Sequence, residues 1–495
     1  MKSDDSTKDS TKPDQPISAP PRRPKTSFKG DVLRLVTGTV LAQAIGILAA
    51  PILTRLYEPE AFGLAALFTS FTGIISVLAC MRYELSIVLP DSDQEAANLM
   101  GVSILFSLLV AIFTVPIVWL GGQTLLQWVK MPALEPYLLL IPITVFINGI
   151  FLALNYWNTR TKQFTRLSIT RITSAVAGTS TTIGAGLAGY ATGGSMIAAT
   201  LGGQIVGTTV LGAQIWRDNG KFLLQSLGWP GMLAGVKRYK NFPIYSSWSA
   251  LLNSVSWQLP VLMLGAFFSP SVVGFYALGF RILKIPMNLI GSAIGQVFLQ
   301  RAADAKLNGS LPTLVEQTFH RLVLICMFPM LLLAIVGKDL YISVFGDHWA
   351  DAGVYTQILS VWAIVWFVSA PLSNIYPVLE KQHREPVIQG SILAARIVGI
   401  SIGGYYNSPL LAIGLYSLGG LIAYSYLITE IFSFCQLNVW RLFKKTFISA
   451  KWQIFIIFLL ALAKIWMGEN KYLLIFSIIL VVAHYGFIIK NKLLN

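Results

Sequence analysis

Apolar stretches of roughly 20 residues follow one another along the chain from Val32 onward, each the length a helix needs to cross about 30 Å of hydrocarbon. Hydrocarbon offers peptide groups no partner, so such a chain folds into helices that satisfy their own backbone. Only 12% of the residues are charged, against about 25% in an ordinary soluble domain, which excludes a soluble enzyme. The expected fold class is an all-α polytopic membrane protein. Apolar windows place fourteen spans, near 32–54, 61–81, 96–119, 136–157, 168–189, 194–216, 244–266, 271–298, 320–345, 353–378, 387–406, 410–435, 452–467 and 471–489.

The formal charge of +15 would suit a nucleic-acid partner, but membrane proteins collect Lys and Arg in their cytoplasmic loops for reasons of topology. With the N-terminus inside, 26 of the 37 Lys and Arg fall in the tail and inner loops. Arg55 and Lys130 fall in outer loops, Lys338 and Lys471 toward the outer ends of spans, and seven elsewhere within spans. This bias predicts both termini in the cytoplasm and no nucleic-acid partner. Residues 1–30, rich in Ser, Thr, Pro and Lys, read as a disordered tail. The apolar run that follows continues past Pro51, as a retained span does and a cleaved signal does not. Three cysteines, four histidines without ligand spacing and no P-loop predict no disulfide framework, no metal and no cofactor.

The chain also repeats itself. Pro59, Gly63, Ala66 and Leu67 recur 211 residues later as Pro270, Gly274, Ala277 and Leu278, both times at an outer turn entering an even-numbered span. Tyr156 with Lys162 and Gln163 after span 4 parallels Tyr376 with Lys381 and Gln382 after span 10. The expected organisation is a tail (1–30), a first six-span lobe (31–216), a cytoplasmic linker (217–243), a second six-span lobe (244–436) and a terminal pair of spans (437–495). Parallel repeats are a common transporter plan, with the substrate site between halves that rock to alternate access.

Span 8 carries the most informative polar pattern. Arg281, Lys284, Asn288, Ser292 and Gln296 recur at three- and four-residue steps and share one helical face. A cation near mid-bilayer costs at least about 2.5–3.5 kcal/mol on insertion scales, so Arg281 should face protein or a watery cavity. A buried ion pair is the competing reading, with Glu430 the clearest carboxylate. One carboxylate cannot neutralise two cations, which favours a functional cationic face. Arg396, mid-way along span 11, should also point inward. Asn253 and Trp257 lie on a polar face of span 7. Trp362 and Trp366 lie on an aromatic face of span 10, where stacking on sugars competes with anchoring at the interface. Thr69, Thr72, Gly73 and Ser76 on span 2, and Thr144 and Asn148 on span 4, form weaker stripes that read as helix packing, as does the GxxxG at Gly203 and Gly207. Arg34, Arg171 and Lys464 lie near span ends, where they can reach water. Pro286 is the candidate bend in the cationic helix. No catalytic residue is expected.

Residues 41–100 resemble the start of the polysaccharide transporter (Wzx-type flippase) family of the multidrug/oligosaccharidyl-lipid/polysaccharide exporter superfamily. The resemblance is carried by Leu53-Thr54-Arg55-Leu56-Tyr57, Pro59, Phe62-Gly63, Arg82-Tyr83-Glu84 and Leu89-Pro90. It implies a V-shaped pair of six-helix lobes around a central cavity. It also implies a protein that flips undecaprenyl-diphosphate-linked oligosaccharide, an O-antigen or exopolysaccharide repeat unit, across a bacterial inner membrane. Membrane lipids, a polysaccharide polymerase and a chain-length regulator are the implied partners. The diphosphate would suit the cationic face, so the expected substrate-binding residues are Arg281, Lys284, Asn288 and Arg396, with Asn253, Trp257, Trp362 and Trp366. The related lipid II flippases carry an Arg-Asp pair in the middle of span 1. Here that part reads Gly46-Ile47-Leu48-Ala49-Ala50, which argues against lipid II as substrate. Spans 13 and 14 resemble the extra helices that line a groove for the polyprenyl tail in those flippases.

Two other classes are weighed against this reading. A multidrug exporter of the same superfamily should carry acidic residues in its cavity, and mid-span Asp and Glu are nearly absent. A polysaccharide polymerase or ligase should have a large outer loop with catalytic Arg and His, whereas the outer loops near 120–135 and 346–352 are short and His348 stands alone beside Asp347 and Asp351. Glu430 and His484 are the candidates within spans for proton exchange.

Overall fold

The computed structural model describes residues 28–128, 130–467 and 480. The tail before residue 28, the expected span at 471–489 and His484 lie outside the described residues. In chain order the helices are α1 (Phe28–Leu56), α2 (Pro59–Ser76), α3 (Asp93–Trp128), α4 (Leu140–Arg160), α5 (Phe164–Leu187), α6 (Gly193–Ser226), α7 (Trp229–Arg238), α8 (Ser247–Phe267) and α9 (Pro270–Pro286). They continue as α10 (Ser292–Leu307), α11 (Leu311–Phe345), α12 (Ala350–Leu372), α13 (Ile375–Val378), α14 (Glu385–Tyr405), α15 (Pro409–Phe434), α16 (Val439–Ser449) and α17 (Lys451–Met467). Local signals set several of their starts. Proline opens α2, α9 and α15, where its missing N–H leaves nothing unsatisfied. Ser269 and Ser408 cap α9 and α15 by accepting from the amides of Val272 and Leu411.

Among the described residues, ten helical segments are long and apolar enough to cross a membrane, or eleven if α16 and α17, bent by 65°, count as one span. This corrects the expected fourteen. Besides the undescribed last span, α2 and α5 fall short. The first has 18 residues and opens on Pro-Glu; the second dilutes its apolar residues with Thr, Ser, Gly and two arginines. The protein is nonetheless a multi-pass membrane protein built of helices alone among the described residues.

Helices of the first half pack on one another as α1 on α5, α5 on α6, α3 on α4 and α4 on α6. In the second half α11 packs on α12, α12 on α15 and α14 on α15. The small residues read as packing do pack: a Cβ on Gly203 of α6 would lie 2.7 Å from the Ser174 carbonyl oxygen of α5. Between the halves, α2 runs along α8 and α9. Here the sequence repeat acquires a structural meaning. A Cβ on Gly63 would lie 1.7 Å from the Pro270 carbonyl oxygen, and one on Gly274 would lie 2.0 Å from that of Pro59. The two copies of the motif therefore touch each other reciprocally, each glycine against the other copy's proline, as in a self-complementary twofold contact.

The cationic helix runs on past Pro286, the expected bend, within one apolar segment, Pro270–Leu307. After Pro286, which has no N–H to give the ladder, a π-helical turn (Met287–Gly291) joins α9 to α10. At the far end of the chain, Ile457 and Leu460 of α17 pack on Phe328, Leu332 and Val336 of α11. Lys464 donates to Asp339 Oδ2 at 2.7 Å and to the Ile335 carbonyl at 2.7 Å. It thus turns inward to a partly buried ion pair instead of reaching for water.

Candidate functional site

A cavity of about 560 Å³ opens between α1, α4, α5 and α6 on one side and α9 on the other. Because Arg281 and Lys284 are three residues apart on α9, both line it, and Asn288 joins them from the π-helical turn. Arg281 Nη2 donates to the Gly46 carbonyl of α1 at 3.2 Å. A Cβ on Gly46 would lie 2.5 Å from that nitrogen, so the uncharged stretch of the first span is where the arginine of α9 enters. Lys284 has no hydrogen-bond or ion-pair partner among the described residues.

A third cation lines the same wall. Arg171 of α5 hydrogen-bonds Thr39 of α1 and faces the cavity beside Thr170 and Ser174. Its position in sequence pointed to a water-reaching role; the structure instead turns it inward. The signal was present in its neighbours, since Arg171, Ser174 and Ala175 share one face of α5 and all line the cavity.

No Asp or Glu lines this cavity among the described residues. The carboxylates nearest to helix interiors are engaged elsewhere. Glu430 accepts from Tyr376 Oη at 2.7 Å and lies 3.8 Å from Arg384. Asp93 holds Arg160 at 2.8 Å, and Asp218 holds Arg166. The competing reading, in which Glu430 neutralises the cations of span 8, is therefore not what the geometry shows. The cavity carries three positive charges and offers a site for an anion.

The other residues expected at the site lie elsewhere. Arg396 is 3% exposed and donates through Nη1 to the Ser256 carbonyl at 2.7 Å and to Ser256 Oγ at 3.1 Å. Its guanidinium sits 4.6 Å from the ring centroid of Trp257. Trp362 and Trp366 are buried and stack at 5.3 Å, with Phe280, Arg281's neighbour on α9, 6.1 and 5.9 Å from them. These aromatics form a buried wall behind α9, and neither they nor Trp257, Asn253 and Arg396 line the cavity.

The site is a cationic cavity between helices of the two halves of a multi-pass α-helical protein. The fold is similar to that of the lipid II flippase MurJ in an inward closed conformation, with a TM-score of 0.73 at 12% identity over 92% of this chain and 97% of that one. It is also similar to an inward-facing multidrug resistance MATE family transporter of the MOP superfamily, with a TM-score of 0.63 at 14% identity over 82% and 98% of the two chains. The profile of the polysaccharide biosynthesis protein family matches residues 52–354, more than half of the sequence, and the chain belongs to that family. A stretch of 144 residues is 23% identical to the teichuronic acid biosynthesis protein TuaB of Bacillus subtilis (strain 168), covering 29% of this chain and only 30% of that relative's length. The chain is thus a multi-pass member of the polysaccharide biosynthesis protein family whose fold resembles those of MurJ and of a MATE family transporter.

Proposed function

We propose that this transporter flips undecaprenyl-diphosphate-linked oligosaccharide, an O-antigen or exopolysaccharide repeat unit, from the cytoplasmic to the periplasmic leaflet of a bacterial inner membrane. The observation that carries the reading is the cavity with Arg171, Arg281 and Lys284 on its wall and no carboxylate. In a low-dielectric site such a cluster is costly when empty and complementary to a diphosphate. Arg281 holds a backbone carbonyl that it can exchange for a phosphate oxygen without giving up an ion pair. In this reading two pseudo-symmetric six-span lobes rock about the site with both termini in the cytoplasm, and a terminal pair of spans flanks the second lobe. The lipid tail has an apolar place to lie: a groove of about 420 Å³ between α11, α12 and α15 and the bent pair α16–α17, lined by Phe319, Ile364, Ile428 and Phe447. A polysaccharide polymerase and a chain-length regulator would receive the product.

A relative named for teichuronic acid biosynthesis and a fold shared with a lipid II flippase agree with a lipid-borne glycan. The multidrug alternative calls for acidic residues to meet cationic drugs, and this cavity has the opposite charge. Arg281→Ala together with Lys284→Ala is expected to leave the protein inserted and abundant while abolishing surface polysaccharide; a normal polysaccharide layer in that double variant contradicts the assignment.

A further inference from the structure

Beside the cationic cavity, α2, α4 and α6 enclose a smaller pocket of about 130 Å³. Asn148 and Gln204 line both spaces, so the two adjoin. The hydroxyl stripes of spans 2 and 4, which read as packing in the sequence, converge here. Every polar side chain on the wall is neutral. Thr72 donates to the Phe68 carbonyl at 2.9 Å, Thr144 to Leu140 at 2.8 Å and Thr200 to Met196 at 2.8 Å. With their protons spent on their own helices, these hydroxyls present acceptor lone pairs. Ser76 differs: it is 4% exposed and its Oγ has no hydrogen-bond partner. The side-chain amides of Asn148 and Gln204 also make no hydrogen bond to another described residue.

Unpartnered polar groups inside a membrane protein are unfavourable, and hydrocarbon cannot relieve them. A polyprenyl chain in this pocket would leave Ser76 and both amides unsatisfied. A phosphate would meet the lone pairs of the threonines. A sugar ring suits the whole set, because each of its hydroxyls both donates and accepts.

We propose that this pocket is a glycan subsite: it takes the sugar attached directly to the diphosphate held by Arg171, Arg281 and Lys284, with Ser76, Asn148 and Gln204 reading its hydroxyls. The proposal rests on the lipid-linked oligosaccharide reading above and adds the determinant of sugar selectivity. Binding to purified protein in nanodiscs tests it, with undecaprenyl diphosphate and the same lipid bearing one glucose, galactose or N-acetylglucosamine as probes. The wild-type chain binds at least one glycosylated lipid about tenfold more tightly than the bare diphosphate, as two or three net hydrogen bonds supply. In the Ser76→Ala/Asn148→Ala/Gln204→Ala variant that ratio falls to about one; in Arg281→Ala/Lys284→Ala both affinities fall and the ratio stays. A wild-type ratio of one for all three sugars, or a triple variant that keeps its ratio, overturns the subsite and leaves the diphosphate site standing. A wild-type chain that binds none of the four lipids overturns the flippase reading and the subsite with it. Should the triple variant not fold, Ser76→Ala and Gln204→Ala singly read the same ratio, because neither side chain has a protein partner to lose.

Discussion

Arg281 and Arg396 both sit well inside helices, yet their surroundings assign them opposite work. Arg281 faces open space and touches one carbonyl of a neighbouring helix. Arg396 is enclosed, bonded twice to Ser256 and stacked on Trp257. Hydrogen bonds from a charged donor are worth about 1.5–3 kcal/mol, so Arg396→Ala is expected to lower the melting temperature and abundance of the purified protein. Arg281→Ala and Arg171→Ala should each leave melting nearly unchanged while reducing glycan export. Melting curves beside surface-polysaccharide assays check this, and an Arg396→Ala protein as stable as wild type contradicts it. The contrast also explains what was legible at this scale. Helical spacing grouped Arg281, Lys284 and Asn288 correctly, because those three share a face whatever the tertiary structure does. The same spacing placed Trp362 and Trp366 on one face but carried no information on whether that face meets a cavity or a packed wall. Arg171 lies near a span end in the sequence, which says nothing of α1 packing across it and leaving it on the wall of the cavity.

At the level of elements, the reciprocal contact of α2 and α9 is the feature most exposed to test. Each glycine admits a backbone carbonyl of the other helix, and a methyl group at either site would force the backbones apart. Overpacking of this kind costs about 1–3 kcal/mol, so Gly63→Ala and Gly274→Ala should each depress the melting temperature, and by similar amounts. Gly390→Ala, where an added Cβ meets nothing within 4 Å, should not. Unchanged melting in the first two variants would show that α2 and α9 do not depend on this contact. The repeat itself was readable in Pro59/Gly63 and Pro270/Gly274. That the copies touch each other was not, because sequence similarity says nothing about which surfaces meet. Span boundaries followed from apolar runs and from proline and serine at helix starts, whereas the count did not, since Thr- and Ser-rich α5 and short α2 occupy the same bundle with less apolar surface.

Across the whole molecule, charge is sorted twice. Most of its basic residues fall outside the apolar runs of the sequence, and the carboxylates near helix interiors are tied up by Tyr376, Arg384, Arg160, Arg166 and Lys464. Three cations with no carboxylate beside them line the cavity between α1, α4, α5, α6 and α9, which gives this member of the polysaccharide biosynthesis protein family an anion site at the junction of its halves. The central claim is that this site carries the diphosphate of a lipid-linked glycan across the bilayer. The most direct measurement is the movement of a fluorescent undecaprenyl-diphosphate-linked oligosaccharide between the leaflets of proteoliposomes holding the purified protein. The account predicts transfer by the wild-type chain and none above protein-free vesicles by Arg281→Ala/Lys284→Ala; equal transfer by the two proteins would contradict it.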